Sequence, residues 1–166
     1  MPRRLRVAVT AITVCLVGLS VTACMDRDLG ETASPELLAA LEETTYVRDG
    51  RGEMVIYAVV DTDCPSCTEL RRAVADQPTP NIEWRWVPVA YLGDQARAGA
   101  IEWLDAERRL DDAAEAVDTN TEKAQAARIA QVPRLVYEDP EGEVRSLTGG
   151  GPHEVRQLEE LAAEMP

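Results

Sequence analysis

The sequence predicts an α/β fold, with a central mixed β-sheet and helices on both of its faces. Three observations carry that expectation. Met54-Val55-Ile56-Tyr57-Ala58-Val59-Val60 is a continuous apolar run rich in β-branched residues, the pattern of a strand covered on both sides. The hydrophobic period then switches repeatedly, giving the order strand, helix, strand, helices, strand, strand, helix. The first strand–helix–strand unit should be parallel, and a late Pro/Gly turn adds an antiparallel hairpin.

The elements follow in chain order. Arg3, Arg4 and Arg6 precede a run from Val7 to Leu19 that is apolar apart from Thr10 and Thr13. That layout is a secretory signal, and the run is too short to span a bilayer comfortably. Val21-Thr22-Ala23-Cys24 resembles a bacterial lipobox, so residues 1–23 are expected to be a lipoprotein signal peptide and Cys24 the lipidation site. Met25 follows that cysteine where an inner-membrane retention signal would place Asp, so outer-membrane sorting is favoured. Residues 24–50 then read as a lipidated tether with one short helix, Pro35 to Glu43, started by Ser34 and Pro35. Residues 51–166 form the single domain.

Within that domain Asp61-Thr62-Asp63 ends the first strand, and a helix is expected from about Cys64 to Ala75 with Pro65 in its first turn. Gln77-Pro78-Thr79-Pro80 breaks the chain, and Ile82 to Val87 alternates as a second strand stopped by Pro88. Trp84 and Trp86 share one face of it and should be core. Gly93 to Ala130 reads as two helices separated at Asp118-Thr119-Asn120-Thr121, with Ala96, Ala100, Trp103, Leu110, Ala114 and Val117 on the apolar stripe. Arg134–Tyr137 and Val144–Leu147 flank a turn at Asp139-Pro140-Glu141-Gly142. Gly149-Gly150-Gly151 reads as a loop, and Pro152 opens a last helix whose stripe is Val155, Leu158, Leu161 and Ala162.

The net charge is −13, and loss of the three signal arginines takes it to −16. So acidic a surface excludes nucleic acid as a partner, since nothing offsets phosphate repulsion. It also opposes flat docking on anionic lipid, and solubility is its simplest explanation. His153, the only histidine, reads as solvated surface.

The chemistry is carried by Cys64-Pro65-Ser66-Cys67. Cys15 leaves with the signal and Cys24 is consumed by lipid, so these two cysteines remain as one pair. At a helix start, unpaired N–H groups and the positive dipole end favour a thiolate, the species that attacks disulfides. Asp61 and Asp63 oppose that effect, so a moderately raised thiolate population is expected. Cys64 is expected to be the exposed nucleophile and Cys67 the buried resolving thiol. A zinc site would need about four ligands, and c-type haem attachment would need His where Thr68 stands. A purely structural disulfide over so small a loop would gain little.

With these marks the chain resembles the thioredoxin superfamily, in particular the catalytic domain of DsbC/DsbG-type periplasmic thiol:disulfide interchange proteins. The resemblance spans about Met54 to Met165, and rests on Asp61-Thr62-Asp63-Cys64-Pro65-Ser66-Cys67 after an apolar strand and on Val132-Pro133 opening the next one. It implies a thioredoxin-like fold with a helical insertion, between Leu92 and Ala130, before the cis-Pro strand. It implies a cis Pro133 facing the cysteines, with Val132, Pro65 and Ser66 contacting substrate. Asp61 matches an acid common in that group, whereas Ala58 stands where thioredoxin keeps a buried acid. Val132 is closer to the oxidase DsbA than to the isomerases, which usually carry Thr. The implied function is a membrane-tethered, periplasmic thiol–disulfide oxidoreductase, reductase or isomerase rather than primary oxidase. Its partners would be protein thiols and disulfides and an upstream dithiol protein, and it would need no dissociable cofactor or metal. The alternatives are a non-catalytic lipoprotein using the fold as a binding scaffold, and a copper-handling protein.

Overall fold

The computed structural model describes residues 29–165, so Cys24 and the expected signal peptide lie outside the described residues. Its elements are β1 (Glu31–Thr32), α1 (Pro35–Glu42), β2 (Val47–Gly50), β3 (Met54–Asp61), α2 (Pro65–Asp76), β4 (Ile82–Val89), α3 (Asp94–Arg108), α4 (Ala113–Ala126), β5 (Arg134–Glu138), β6 (Val144–Thr148) and α5 (Pro152–Ala162). Six strands form one mixed sheet in the order β1-β6-β5-β3-β4-β2. Only β3 and β4 pair in parallel; the other neighbours are antiparallel. The fold class read from the sequence is the one observed. Among the described residues no helix is long and apolar enough to cross a membrane.

The continuous apolar run of β3 is explained by its place in the middle of the sheet. Met54, Ile56, Ala58 and Val60 face one core with Trp84 and Trp86 of β4, Leu135 of β5, and the apolar sides of α2, α3 and α5. Tyr57 and Val59 face the other core with Val87, Val89, Val136, Leu41 of α1 and Ala124 of α4. Side chains alternate across a strand, so a strand with both faces covered must be apolar throughout. Trp84 and Trp86 stack with ring centroids 5.4 Å apart. Trp103 is half-buried rather than core: it packs on Trp86 at 6.4 Å and carries the Arg71 guanidinium 3.9 Å above its ring.

Three expectations change. The segment read as a spacer with one helix supplies both edge strands, β1 beside β6 and β2 beside β4, as well as α1. Pro88 does not stop β4, which continues to Val89. Beyond Trp86 the β2 side of that strand is no longer paired, and the Pro88 carbonyl points there, accepting from Asn120 Nδ2 at 3.1 Å. The missing N–H therefore removes no ladder bond. The third change is the helix break, which falls at Arg109–Asp112 and not at Asp118–Thr121. Arg109 adopts the left-handed conformation (φ 53°, ψ 52°) and donates its N–H to Asp105 at 2.7 Å, closing α3.

The polar residues read as a break instead fasten α4 to the sheet. Asn120 is fully buried; its Oδ1 accepts from Thr45 N–H at 2.9 Å and its Nδ2 donates to Thr45 O at 2.7 Å as well as to Pro88. Thr121 Oγ1 accepts from Ala90 N–H at 3.0 Å. Asn120→Ala strands several buried backbone groups, each costing about 1–3 kcal/mol. We expect it to lower unfolding free energy by about 2–4 kcal/mol in urea titration, whereas Thr119→Ala, on an exposed position of the same turn, should stay within about 0.5 kcal/mol.

Candidate active site

The site is built where β3 ends and α2 begins. Asp61 closes β3, and its buried carboxylate accepts three backbone N–H groups: Asp63 on Oδ1 at 2.8 Å, and Tyr91 and Leu92 on Oδ2 at 2.7 and 3.0 Å. One side chain thus shapes the turn into α2 and draws the β4–α3 connection against it. Thr62 Oγ1 adds a bond to Ala96 O at 2.9 Å. Gly99 permits that approach, because a Cβ there would lie 2.6 Å from Thr62 Oγ1.

Cys64 is the N-cap of α2, with extended backbone (φ −82°, ψ 119°), and Pro65 occupies the first helical position, where no N–H is needed. The Cys67 N–H, an unpaired donor of the first turn, points at Cys64 Sγ at 3.3 Å. Opposite, the Val132–Pro133 peptide is cis, and Val132 O accepts from Cys64 Sγ at 3.6 Å. Both cysteines are free thiols. Cys67 lies deeper, 1 % exposed, and its sulfur accepts from the Asp61 N–H at 3.5 Å.

Cys64 was expected to be exposed; it is 7 % exposed, because the 132–133 segment covers it. It is not sealed. Its surface opens into a groove of about 560 Å³, lined also by Pro65, Ser66, Val132 and Pro133. The structure thus brings together the six residues singled out around the redox pair, while Cys24 lies outside the described residues. It adds Tyr91, Leu92, Thr148 and Gly149, which the sequence reading passed over. Leu92 belongs to no helical or strand stripe, and its 56 % exposure is unusual for so large an apolar side chain. An apolar residue off every periodic pattern, just before a helix start, was the available signal.

Burial pushes the Cys67 thiol well above the ordinary range, and its hydrogen bond with Cys64 acts the same way. Cys67 is therefore held neutral while unfolded cysteine ionises near about 8.5. A raised folded value stabilises the protein below the unfolded pKa and loses that contribution as pH climbs above it. Under reducing conditions the urea midpoint should fall between about pH 8 and pH 9.5, and the fall should be shallower in Cys67→Ala. Equal slopes in the two proteins would remove Cys67 as the cause.

The thioredoxin-like domain family matches residues 41–163. No curated protein matches the chain in sequence. Among solved structures the chain is similar to a periplasmic thioredoxin-like protein from Salmonella enterica serovar Typhimurium, at 16% identity and TM-score 0.58, over 81% of this chain and 98% of that one. It is similar to the catalytic domain of Proteus mirabilis ScsC, at 17% identity and TM-score 0.57, over 78% and 97% of the two chains. A disulfide interchange protein from Neisseria gonorrhoeae aligns at 21% identity and TM-score 0.53, over 75% and 96%. The six-stranded mixed sheet agrees with these comparisons, and the chain belongs to the thioredoxin-like domain family.

Proposed function

We propose that the chain is a thiol–disulfide oxidoreductase of the bacterial envelope, tethered through a lipid on Cys24 and acting on protein thiols and disulfides. The observation that carries this reading is the Cys64 sulfur, capped by the Cys67 N–H and opening into a groove whose far wall is the Val132–Pro133 segment. Support also comes from the periplasmic and disulfide-interchange proteins that share the fold.

In the reductive direction the Cys64 thiolate attacks one sulfur of a client disulfide. The client S–S bond breaks, one client thiolate leaves, and a mixed disulfide joins Cys64 to the client. Cys67 then gives up its proton and attacks the Cys64 sulfur. The Cys64–Cys67 disulfide forms and the second client thiol departs, so two electrons have passed to the client. Part of what keeps Cys67 protonated is its bond to Cys64, and that bond is altered once Cys64 is consumed. Val132 precedes Arg134, the first paired residue of β5, so its backbone lies where an extended client segment can lie alongside. An upstream dithiol protein regenerates the pair, and no dissociable cofactor enters the cycle.

Reduction or isomerisation is favoured over primary oxidation. Asp61 and Asp63 place negative charge beside the pair, which disfavours an anionic reduced form relative to the neutral disulfide. Anchoring in the outer membrane is favoured by Met25 after the lipobox cysteine.

The test is insulin reduction by the purified domain with a dithiol reductant. Wild type should turn over, Cys64→Ser should lose about 100-fold or more, and Cys67→Ser should accumulate a covalent client adduct that a thiol reductant releases. Turnover that survives Cys64→Ser, or a wild type without turnover, overturns the reading.

A further inference from the structure

The groove at Cys64 does not end at Thr148 and Gly149. A second hollow of about 400 Å³ shares Ser66, Thr148 and Gly149 with it and runs on past Gly151 to Glu69 and Glu154. Sharing that wall, the two are the arms of one channel, and Cys64 opens into the first arm. The first arm is walled by Tyr91, Leu92, Ala130 and Val132, and Leu92 is the exposed large apolar side chain among the described residues. The second arm is bordered by glycine backbone: Gly150 sits on Leu70, where a Cβ would come within 2.8 Å of the Leu70 methyl. No basic side chain lines this arm. The nearby Arg134 is committed to Thr148 Oγ1 and to Glu31 at 2.9 Å. Glu154 is fixed in the wall, because its Oε2 accepts the Gly151 N–H at 2.9 Å.

We propose that this channel selects its clients, taking an extended peptide with an apolar side chain on one side of the reacting cysteine, against Leu92, and a basic side chain on the other, against Glu69 and Glu154. The proposal rests on the thiol–disulfide reading above. A channel with one apolar and one anionic arm distinguishes peptides by what flanks their cysteine. An extended chain passing over Cys64 presents those flanks to opposite arms. The overall charge of −13 attracts any cation, so the discriminating quantity is the local contribution of these two carboxylates.

The test uses synthetic peptides with one cysteine, held as the mixed disulfide with glutathione. Leu stands on one side of the cysteine, Lys or Glu on the other, and both chain directions are made. In each reaction the Cys64–Cys67 dithiol is oxidised to its disulfide, while peptide and glutathione leave as thiols with the two electrons and two protons. The single-turnover rate ratio of Lys to Glu peptide should be on the order of fivefold at low salt and shrink at about 300 mM. It should fall toward one in Glu69→Gln/Glu154→Gln, where the amide oxygen can still accept the Gly151 N–H. It should persist in Glu115→Gln/Glu122→Gln, which removes the same charge from exposed positions of α4. Leu92→Ser should narrow the gap between peptides bearing Leu and Ser on the apolar side. A ratio of one in wild type, an equal loss in both double variants, or no Leu–Ser gap overturns the proposal. Reduction of hydroxyethyl disulfide by wild type is read in parallel. Its failure sinks the thiol–disulfide reading itself, whereas its success beside a ratio of one sinks only the client selection.

Discussion

Three backbone N–H groups from two separate loops converge on the carboxylate of Asp61, and the rest of the site is arranged around that convergence. Hydrogen bonds to a charged acceptor contribute more than neutral ones, about 1.5–3 kcal/mol each. Here they do two jobs at once. The bond from Asp63 bends the chain out of the sheet so that Cys64 arrives at the first turn of α2 as its cap. The bonds from Tyr91 and Leu92 bring the following connection to the same spot, so an apolar wall stands beside the cysteine. The Asp61 N–H meanwhile points at the Cys67 sulfur. A single buried acid thus relates the depth of one thiol, the placement of the other and the shape of the groove.

The sheet makes that arrangement rigid. β3 lies between β4 and β5, paired with β4 over its whole length, Met54 to Asp61, and with β5 from Ile56 to Val59. The strand can therefore shift little without disturbing two ladders and both cores. Residues 132–133 enter from β5, the antiparallel neighbour on one side, and residues 91–92 leave from β4, the parallel neighbour on the other. The cysteine is bracketed by loops from adjacent strands, which is how the C-terminal end of a central strand comes to border a groove. Loops carried on a fixed scaffold can hold chemistry that the scaffold itself cannot.

Much of this was legible from residue patterns. The apolar run of β3, the Pro-initiated helix after it, the late hairpin and the stripe of α5 each carried a strong local signal, and each formed as expected. Cys64 and Cys67 were placed by their motif and strand context, whereas Val132 and Pro133 were brought to them by the resemblance to the thioredoxin superfamily. The failures share a physical cause. Asn120 and Thr121 look like turn residues because polar side chains usually compete with the helix, but here buried backbone groups of β4 and of the loop before β2 needed partners, and α4 supplied them. Asn120 satisfies donors and acceptors more than thirty residues away in sequence, which no local window reveals. Strands β1 and β2 were missed because edge strands are short and polar by necessity, and so resemble linker.

That last point changes the geometry of attachment. A polar stretch from residue 25 to residue 51 reads as a long leash, but β1 is already bound to β6 at Glu31. Leu29 already packs on the core and its carbonyl accepts from the Tyr137 hydroxyl, so four residues, 25 to 28, lie between Cys24 and the first residue of the folded body. Fully extended, the stretch from Cys24 to Leu29 spans about 18 Å at most. For a domain anchored at Cys24, as proposed above, the sheet edge formed by β1 and β6 must stay close to the bilayer. Such a protein meets partners that pass along the membrane surface; it cannot search the depth of the compartment for them.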